Sequence, residues 1–455
     1  MDLSTPNKMY VSTHAATAQV LATQMPQNKA AFEQQLQHLR LSQQTWSELK
    51  VTERCSQLLQ LAGRIDENKL ALAQAVCLEV GRCLRECEAE IDKTVDLIRY
   101  YAKLAPELLD AKTITTQASL SQVRFEALGV VLAVMPWNYP VWQIMRFAIP
   151  ALCSGNACVV KPAPSVAKVT QQLMDLVGVD IPLQAAYLHH DDVEYAIAAT
   201  DALAFTGSTD TGRHLASLAG KHIKKCVLEL GGSNAFIVLD DADIAQAAHD
   251  VVYSRFRDAG QSCNAAKRLI VTPAVADKVV EEVVRLSQQL VMGDPMQAST
   301  TLAPLHTQAL QQKAHAQVQD ALQSGAKLRC GGFVPETDGY FYPATVLDEV
   351  NSHCRVYHEE VFAPVLSVLR AQDSQHAIDL ANDTCFGLGA SVYSADTEQA
   401  WALAKRLQAG SVFINRHTSS DLRLPFGGIK QSGFGRELSE FGLYEFVNVK
   451  TYWQK

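Results

Sequence analysis

The feature that most constrains the fold is an alternation of short β-prone runs and helical stretches after about residue 128. The strand-like runs of the first half are "ALGVVLAVMP", "NACVVKP", "ALAFTG" and "NAFIVL". The alternation restarts after Cys263 with "KRLIVTP", a helix near residues 277–290, and the runs "YFYPATVL" and "APVLSVL". Strands that alternate with helices form a parallel sheet with helices on both faces. The sequence therefore predicts an α/β protein with two lobes.

The regions outside this alternation have a different character. Residues 28–109 are rich in Ala, Leu, Gln and Glu and place apolar residues three and four apart, which predicts helices. The polar strip 113–125 is β-prone, and the C-terminal run "YEFVNVKTYW" is strand-like. These two segments predict β-rich projections from the lobes.

Composition and charge exclude several classes of protein. The net charge of −8 is spread over the chain without an acidic or basic block, which argues against nucleic acid or a membrane surface as the main partner. No apolar stretch approaches the roughly 18 residues of a membrane-spanning helix, and residues 1–24 lack a targeting pattern. The 11 cysteines are scattered at irregular spacings without a zinc motif, which is typical of free thiols in a reducing compartment. We therefore expect a cytoplasmic protein.

One cluster could suggest a metal site. His189 and His190 stand beside Asp191 and Asp192. Adjacent residues on a polar loop rarely converge on one ion, so we interpret this cluster as a solvated loop and expect no metal.

Cys263 lies among small and polar residues, after a glycine, in "GQSCNAA". A substrate can approach such a cysteine closely, and a thiolate is a strong nucleophile when its site lowers its pKa. A buried structural cysteine is the usual alternative for a single Cys. The neighbouring motifs favour the nucleophile.

Two polar residues follow apolar runs and could assist a nucleophile. Glu229, in "VLELGGSNAFIV", is predicted at a strand terminus, where ligands collect in open α/β sheets. A surface carboxylate is the alternative for this residue alone. Asn138, in "MPWNYP", carries an amide that can donate to an oxyanion, in a loop fixed by prolines.

Two further motifs indicate a dinucleotide. Lys161, in "VVKPAPS", is predicted at a strand end and suits ribose hydroxyls or a phosphate. The segment "FTGSTDTGR" offers Gly207, Ser208 and Gly212 in a strand-to-helix turn, where backbone N–H groups attract phosphate. Its spacing is not the dinucleotide-binding GxGxxG, so this pattern is weak alone.

Jointly, these motifs resemble the aldehyde dehydrogenase superfamily, in the family's order over residues 125–270. The segments "HEEVFAPV", "NDTCFGLGASVY" and "LPFGGIKQSGFGRE" extend the resemblance to about residue 436. The wording of "MPWNYPVWQIMRFAIPAL", "KKCVLELGGS" and "SGFGRELSEFGLYEF" is most similar to the short bacterial succinate-semialdehyde dehydrogenases.

This resemblance implies two Rossmann-like parallel-sheet domains and a small β oligomerisation arm. The implied NAD(P)-binding domain comprises residues 1–112 and 128–231, and the catalytic domain comprises residues 232–430. The arm comprises residues 113–127 and 438–455. Exposed strands of the arm would pair with another subunit, so we expect a homodimer or homotetramer.

The resemblance also implies a role for each matching residue. Cys263 matches the nucleophile, Glu229 the general base, and Asn138 the oxyanion donor together with the backbone N–H of Cys263. The positions that match cofactor contacts are Lys161 at the adenosine ribose, Ser208 at the pyrophosphate, Trp137 and Leu230 along the cofactor, and Glu360 with Phe362 at the nicotinamide ribose. The implied reaction is oxidation of an aldehyde to an acid through a Cys263 thioester, with hydride transfer to NAD(P).

Three residues match positions that bind the substrate carboxylate in succinate-semialdehyde dehydrogenases. They are Arg146, Arg257 and Ser420. Two guanidinium groups near a thiol favour an aldehyde with an anionic far end. Glutarate semialdehyde satisfies the same charge logic, and uncharged aliphatic aldehydes are an alternative. Either arginine could instead pair with a local carboxylate such as Asp258.

The choice between NAD and NADP stays open in the sequence. NAD-specific relatives often carry a glutamate three residues after the adenosine-site lysine, where this chain has Pro164. No carboxylate there would repel a 2′-phosphate, yet no arginine partner stands beside it. Ala363 replaces the family's usual glycine, a change we expect to be tolerated. Ala265 replaces a second cysteine, so a disulfide switch at that position is not expected.

Two hypotheses from other classes compete with this interpretation. A thiol esterase could use the same Cys263 and Glu229 without a cofactor, but the dinucleotide motifs argue against that as the main function. An inactive binding protein is the second rival. Intact Cys263, Glu229 and Asn138 argue against it.

Overall fold

The structure, a computed structural model, describes residues 9–455. Its α-helices in these residues are α1 (Lys29–Glu48), α2 (Val51–Glu67), α3 (Lys69–Val80), α4 (Leu84–Leu108), α5 (Pro140–Cys153), α6 (Ala167–Val177), α7 (Val193–Ala199), α8 (Thr209–Lys221), α9 (Ile244–Phe256), α10 (Ala276–Ser287), α11 (Gln308–Gln323), α12 (Arg355–His358), α13 (Ser374–Asn382), α14 (Thr397–Ala404) and α15 (Ser439–Tyr444).

The strands of the same residues alternate with these helices. They are β1 (Tyr10–Thr13), β2 (Val20–Gln24), β3 (Lys112–Thr113), β4 (Leu120–Ala127), β5 (Val130–Val134), β6 (Ala157–Lys161), β7 (Leu183–Ala185), β8 (Ala202–Thr206), β9 (Lys225–Glu229), β10 (Asn234–Val238), β11 (Ala266–Val271), β12 (Lys327–Cys330), β13 (Thr345–Asp348), β14 (Val365–Arg370), β15 (Gly389–Tyr393), β16 (Ser411–Ile414), β17 (Gly433–Phe434) and β18 (Val447–Gln454).

The first large sheet has six strands in the order β17-β9-β8-β5-β6-β7. The five strands from β9 to β7 are parallel, and β17 pairs antiparallel with β9. Because neighbouring strands are in register, their carboxyl ends meet along one edge of the sheet, where α/β proteins collect ligands.

The second large sheet has seven strands in the order β12-β13-β14-β11-β10-β15-β16. All of its neighbours are parallel except the edge strand β12, which runs antiparallel to β13. The central strands are buried on both faces and read as continuous apolar runs, such as "AFIV" in β10, because helices cover both faces. The predicted α/β class with two parallel-dominated sheets is confirmed.

A three-stranded antiparallel sheet, β18-β4-β3, stands apart from both large sheets. Strand β18 pairs with β4 over its whole length, from Val447 opposite Ala127 to Gln454 opposite Leu120. The side chains of Val449 and Trp453 are more than half exposed. This sheet therefore leaves apolar side chains uncovered along its outer strand.

The helical prediction for residues 28–109 is confirmed by α1 to α4, of which α2, α3 and α4 pack with α5 in the core of the first lobe. Two strand predictions were too long. In "YFYPATVL", only the end is a strand. Pro343 has no N–H that could join the hydrogen-bond ladder, and the preceding Tyr342 is a buried residue outside the strand. In "YEFVNVKTYW", Tyr444 ends α15, and Phe446 packs against Phe147 before β18 begins.

Two kinds of feature are absent from residues 9–455. No helix in this range is long and apolar enough to cross a membrane. No group of three or more His, Cys, Asp and Glu side chains in the same range is arranged to hold a metal ion.

Candidate active site

The carboxyl edge of the six-stranded sheet brings together four of the predicted motifs. Strand pairing sets Val134 beside Lys161 and Thr206 beside Glu229. Asn138 follows the strand that ends at Val134, and Gly207 follows the strand that ends at Thr206. Residues that are far apart in sequence thus share one edge, as predicted from their positions after apolar runs.

Cys263 lies in the loop that enters β11 of the second sheet. The loop is preceded by three successive residues with left-handed backbone, Asp258, Ala259 and Gly260, with φ of 53°, 51° and 72°. A side chain at Gly260 would collide with the backbone of Ala363, so only glycine fits this close approach. This tight turn presents the partly exposed Cys263 at the wall of a cavity.

The cavity beside Cys263 has a volume of about 530 Å³. It is large enough for a small organic substrate. The lining residues are Arg82, Arg85, Glu86, Ala89, Glu90, Lys93, Tyr139, Trp142, Gln143, Arg146, Val252, Tyr253, Phe256, Arg257, Asp258, Ser262, Cys263, Asn264, Leu290, Thr301, Ser420 and Phe426. Its walls thus combine aromatic side chains with an unusual number of charged ones.

The electrostatics of Cys263 reflect opposing influences. Burial raises the pKa of the thiol above its usual value, and the charges of Arg146 and Lys267 oppose that rise. Glu229 and Glu360 raise the same pKa further. The resting thiol is therefore protonated at neutral pH, and the two cations stabilise the thiolate when it forms.

Glu229 ends β9 as a buried carboxylate, 3% exposed, and neither oxygen has a hydrogen-bond partner in residues 9–455. Burial raises its pKa well above the usual value, and the nearby Glu437 raises it further, whereas Arg146 lowers it. Arg146 forms an ion pair of 2.5 Å with Glu437. An unpaired carboxyl with a raised pKa is suited to accept a proton near neutral pH.

The side chain of Asn138 is buried and bound to the loop of the cysteine. Its Nδ2 donates a hydrogen bond of 3.0 Å to the carbonyl of Gln261, two residues before Cys263. An amide nitrogen carries two N–H donors, and one of them is used here. The second N–H is the one that can serve a developing oxyanion.

Glu360 lies against the glycine pair that follows Glu229. Its Oε1 accepts a hydrogen bond of 3.2 Å from the backbone N–H of Gly232. The same oxygen forms an ion pair of 2.8 Å with the ammonium of Lys267. A side chain at Gly231 would collide with the Glu360 carboxylate in its present position. The nitrogen of Lys267 also donates to the carbonyl of Cys263 at 2.9 Å. Lys267 thereby connects the Glu360 carboxylate to the cysteine loop.

Aromatic and aliphatic contacts link the remaining residues that the sequence predicted to line the cofactor. The ring of Trp137 stacks on His306 with centroids 4.2 Å apart and meets Phe362 edge-on at 5.8 Å. The buried Leu230 leaves no room for a side chain at Gly212, in the first turn of α8. These contacts bring Trp137 and Phe362 together, and they also bring Leu230 and Gly212 together.

Two features at the sheet edge fit the phosphate and ribose groups of a dinucleotide. Lys161 is 3% exposed, its ammonium has no hydrogen bond or ion pair within residues 9–455, and burial lowers its pKa to about 8. The exposed Ser208 caps the 13-residue helix α8 and accepts from the N–H of Thr211. A buried cation without a carboxylate partner in that range and an open helix N-terminus are both suited to anionic groups. The donor set therefore fits NAD or NADP.

The structure places Arg146, Arg257 and Ser420 at the same cavity, and each already has a partner. Arg146 is 2% exposed and pairs with Glu437 rather than with a carboxylate nearby in sequence. Arg257 lies 3.4 Å from its neighbour Asp258, which is the pairing that the sequence left open. Ser420 Oγ accepts a hydrogen bond from Lys93.

Sequence reasoning assigned no role to four side chains that take part in this site. They are Lys93, Lys267, His306 and Glu437. Glu437 lies within the quoted motif "SGFGRE", and Lys267 follows the cysteine by four residues, so local sequence could have pointed to both. Lys93 and His306 belong to segments far from every motif.

Comparisons with known proteins agree with this geometry. The family model described as the aldehyde dehydrogenase family matches residues 3–452. The chain is 37% identical over 457 residues to the succinate semialdehyde dehydrogenase [NAD(P)+] Sad of Escherichia coli, covering 99% of both proteins. It is 42% identical over 414 residues to the succinate-semialdehyde dehydrogenase [NADP(+)] of Deinococcus radiodurans, covering 89% of this chain and 86% of that protein.

The fold also matches solved structures over almost its whole length. The succinic semialdehyde dehydrogenase of Streptococcus pyogenes, crystallised with NADP+, superposes with a TM-score of 0.95 at 34% identity. The match covers 98% of this chain and 99% of that one. Sequence, fold and site geometry lead to the same conclusion: this chain belongs to the aldehyde dehydrogenase family.

Proposed function

We propose that this protein oxidises succinate semialdehyde to succinate, with Cys263 as the nucleophile. Membership of the family makes the chain an NAD(P)-dependent enzyme that converts an aldehyde to a carboxylic acid. The observation that carries the proposal is one cavity in which Cys263 meets several cationic side chains. The buried carboxylate of Glu229, which has no hydrogen-bond partner among residues 9–455, raises the pKa of that thiol.

The first step is attack of Cys263 on the aldehyde carbon. The thiol must lose its proton, and the charges of Arg146 and Lys267 lower the free energy of the resulting thiolate. The carbonyl oxygen gains negative charge as the S–C bond forms. The free N–H of Asn138 and the backbone N–H of Cys263 are the donors we assign to that oxygen.

The second step removes the acyl group from Cys263. A thioester is hydrolysed by water that has lost a proton, and Glu229 is the base we assign to it. Its carboxylate makes no competing hydrogen bond within residues 9–455, and its raised pKa gives it affinity for the proton. When Glu229 is protonated, this step stops.

The cofactor would be held by the residues that the sequence predicted. Lys161 would bind the adenosine ribose, Ser208 the pyrophosphate at the start of α8, and Glu360 the nicotinamide ribose. The bound nicotinamide supplies the hydride acceptor that this oxidation requires. Trp137, Leu230 and Phe362 would line it. Three residues after Lys161, Pro164 stands where a carboxylate would repel a 2′-phosphate, so we propose that both NAD and NADP are accepted.

The substrate assignment is supported by the charge of the cavity and by relatives. Arg146, Arg257 and Ser420 line the cavity that holds Cys263, and a cationic wall favours an aldehyde with a carboxylate at its far end. Relatives named succinate-semialdehyde dehydrogenase are 37% and 42% identical to this chain. Glutarate semialdehyde is the second candidate, since one methylene changes binding by only about 1–3 kcal/mol.

We further propose the following domain boundaries. Residues 1–112 and 128–231 would form the cofactor domain, and residues 232–430 the catalytic domain. Residues 113–127 and 438–455 would form an arm that pairs with a second subunit, because β18 is an edge strand with exposed Val449 and Trp453.

An assay panel tests the proposed reaction. Succinate semialdehyde, glutarate semialdehyde and butanal would each be offered with NAD and with NADP, and reduced cofactor would be followed by its absorbance. We expect the highest kcat/KM with succinate semialdehyde, by about 10- to 150-fold over butanal if one charge-assisted contact is made. A preference for butanal would contradict the substrate assignment and leave the dehydrogenase chemistry standing.

A further inference from the structure

Lys93 faces the active-site cavity from a helix that carries none of the sequence motifs. Helix α4 presents residues 86, 89, 90 and 93 to the cavity, and this spacing places all four on one face of the helix. The ammonium of Lys93 lies 4.3 Å from the centre of the Trp142 ring and donates a hydrogen bond to Ser420 Oγ. Lys93 and Ser420 thus form a pair of polar side chains on the cavity wall.

The arginines next to Lys93 on the cavity wall are paired with carboxylates. Arg82 forms ion pairs with Glu90 and Asp258, and Arg257 shares Asp258 at 3.4 Å. These four side chains carry no net charge together.

Lys93 and its neighbour Arg146 differ in whether a carboxylate lies close enough to form an ion pair. Arg146 is balanced by Glu437 at 2.5 Å. No carboxylate lies within ion-pair distance of Lys93 among residues 9–455, and its hydrogen bond to Ser420 is the one it makes in that range. Arg85 also lines the cavity without an ion pair in that range, but it is exposed to solvent. Lys93 is therefore the cation of the inner wall that has no carboxylate partner among residues 9–455.

The environment of Lys93 makes that charge available to a ligand. Burial lowers the pKa of Lys93 to about 8, and Arg146 and Arg257 lower it in the same direction. The negative charge of a carboxylate bound there would offset both the cost of burial and the repulsion from the two arginines. Because Ser420 accepts from Lys93, its own hydroxyl proton is directed elsewhere and can donate to the same carboxylate.

We propose that Lys93, acting with Ser420, is the specificity-determining residue that binds the far carboxylate of the substrate. The two arginines contribute positive potential, while their own charges are committed to protein carboxylates. This inference rests on the proposed function, in that it assumes an anionic aldehyde.

The first test compares substrates in variants of one helix. Lys93→Met should lower kcat/KM for succinate semialdehyde by about 10- to 150-fold, the loss expected for one charge-assisted contact. It should leave butanal within about twofold of wild type. Lys93→Arg keeps the charge and should retain most of the preference. Lys103→Met, at an exposed position of the same helix, is the matched control and should change neither substrate.

The second test does not depend on which aldehyde is the natural substrate. Succinate should inhibit butanal oxidation competitively in the wild-type enzyme, because one of its carboxylates would bind the Lys93 ammonium inside the same cavity. In Lys93→Met, the inhibition constant of succinate should rise by at least about tenfold. The Lys103→Met control should keep the wild-type value.

The outcomes separate this inference from the proposed function. If the semialdehyde is a poor substrate but succinate inhibition depends on Lys93, the substrate assignment fails and the anion site stands. An unchanged inhibition constant in Lys93→Met would overturn the role of Lys93, even if the semialdehyde is the best substrate. Equal losses for butanal and the semialdehyde would assign Lys93 a structural role and overturn the inference as well.

Discussion

Replacing Arg146 by methionine would remove the cation that three ionisable groups share. Arg146 forms an ion pair of 2.5 Å with Glu437 while their side chains are only 2% and 9% exposed. Its charge also lowers the pKa of Cys263 and of Glu229. Leaving one partner of a buried pair alone costs about 3–5 kcal/mol of stability. We therefore expect Arg146→Met to lower both stability and activity.

The pH dependence of that destabilisation has a definite sign. Burial raises the pKa of Glu437 in the folded state, so ionising it costs stability as the pH rises through the raised value. In Arg146→Met, the loss should be small below the ordinary glutamate pKa of about 4.3, where Glu437 is protonated in both states. It should grow at higher pH. Adding Glu437→Gln should restore most of the stability, because both members of the pair are then neutral.

Activity should respond differently from stability. Without Arg146, the pKa values of Cys263 and Glu229 rise, so turnover at neutral pH should fall for butanal and succinate semialdehyde alike. Each pKa unit corresponds to about 1.4 kcal/mol, so raising the pH by one unit should recover up to about tenfold of the lost rate.

The assays for this prediction are urea denaturation and kcat/KM measured from pH 6 to 10, with Arg257→Met as the matched control. Arg257 is 29% exposed, and its removal leaves Asp258 paired with Arg82, so its stability loss should be the smaller one. If Arg146→Met spares butanal and stability while losing only the semialdehyde, Arg146 is purely a substrate ligand and the reasoning is refuted.

Three further predictions concern the base, the cofactor and the arm. Glu229→Gln should give a burst of about one reduced cofactor per active site followed by very slow turnover in rapid-quench experiments; an unchanged steady-state rate would exclude Glu229 as the base. Pro164→Glu should lower kcat/KM for NADP at least about tenfold more than for NAD, because a carboxylate repels the 2′-phosphate; Pro164→Gln is the control, and equal losses would mean that position 164 does not contact the 2′-phosphate. Trp453→Arg, at a residue 53% exposed on β18, should yield smaller species in light scattering, whereas Trp401→Arg, 60% exposed on α14, should not; unchanged size in both variants would argue against the arm.

The parts of the site that local sequence predicted are those that follow strands. Glu229, Asn138 and Lys161 could be placed because an apolar run fixes where a strand ends, and the structure puts all three at the carboxyl edge of the six-stranded sheet. Cys263 instead precedes a strand, β11, and was predicted from its small and polar neighbours. Because the strands of a parallel sheet run in the same direction, their carboxyl ends then lie at one edge of the sheet. The same reasoning overextended the strand near residue 342, because it ignored the missing N–H of Pro343.

The parts that sequence did not predict depend on contacts between distant segments. Glu437 reaches Arg146 because β17 pairs with β9, setting Gly433 opposite Glu229 across some 200 residues of chain. Lys93 faces the cavity because α4 packs on α5, and no pattern within α4 specifies which neighbour its polar face meets. The ion pair of Arg146 with Glu437 is therefore a contact that sequence could not predict, and the substrate-binding role of Arg146 stays a prediction.

The most direct test of the central claim is to identify the acyl-enzyme by mass spectrometry. Glu229→Gln would be mixed with succinate semialdehyde and NADP, quenched in acid and digested. We predict that one acyl group is attached as a thioester to the peptide that contains Cys263, and that the double variant Cys263→Ala, Glu229→Gln carries none. Acylation of another cysteine, such as the exposed Cys385, or turnover without any acyl adduct, would contradict the assignment of Cys263 as the nucleophile.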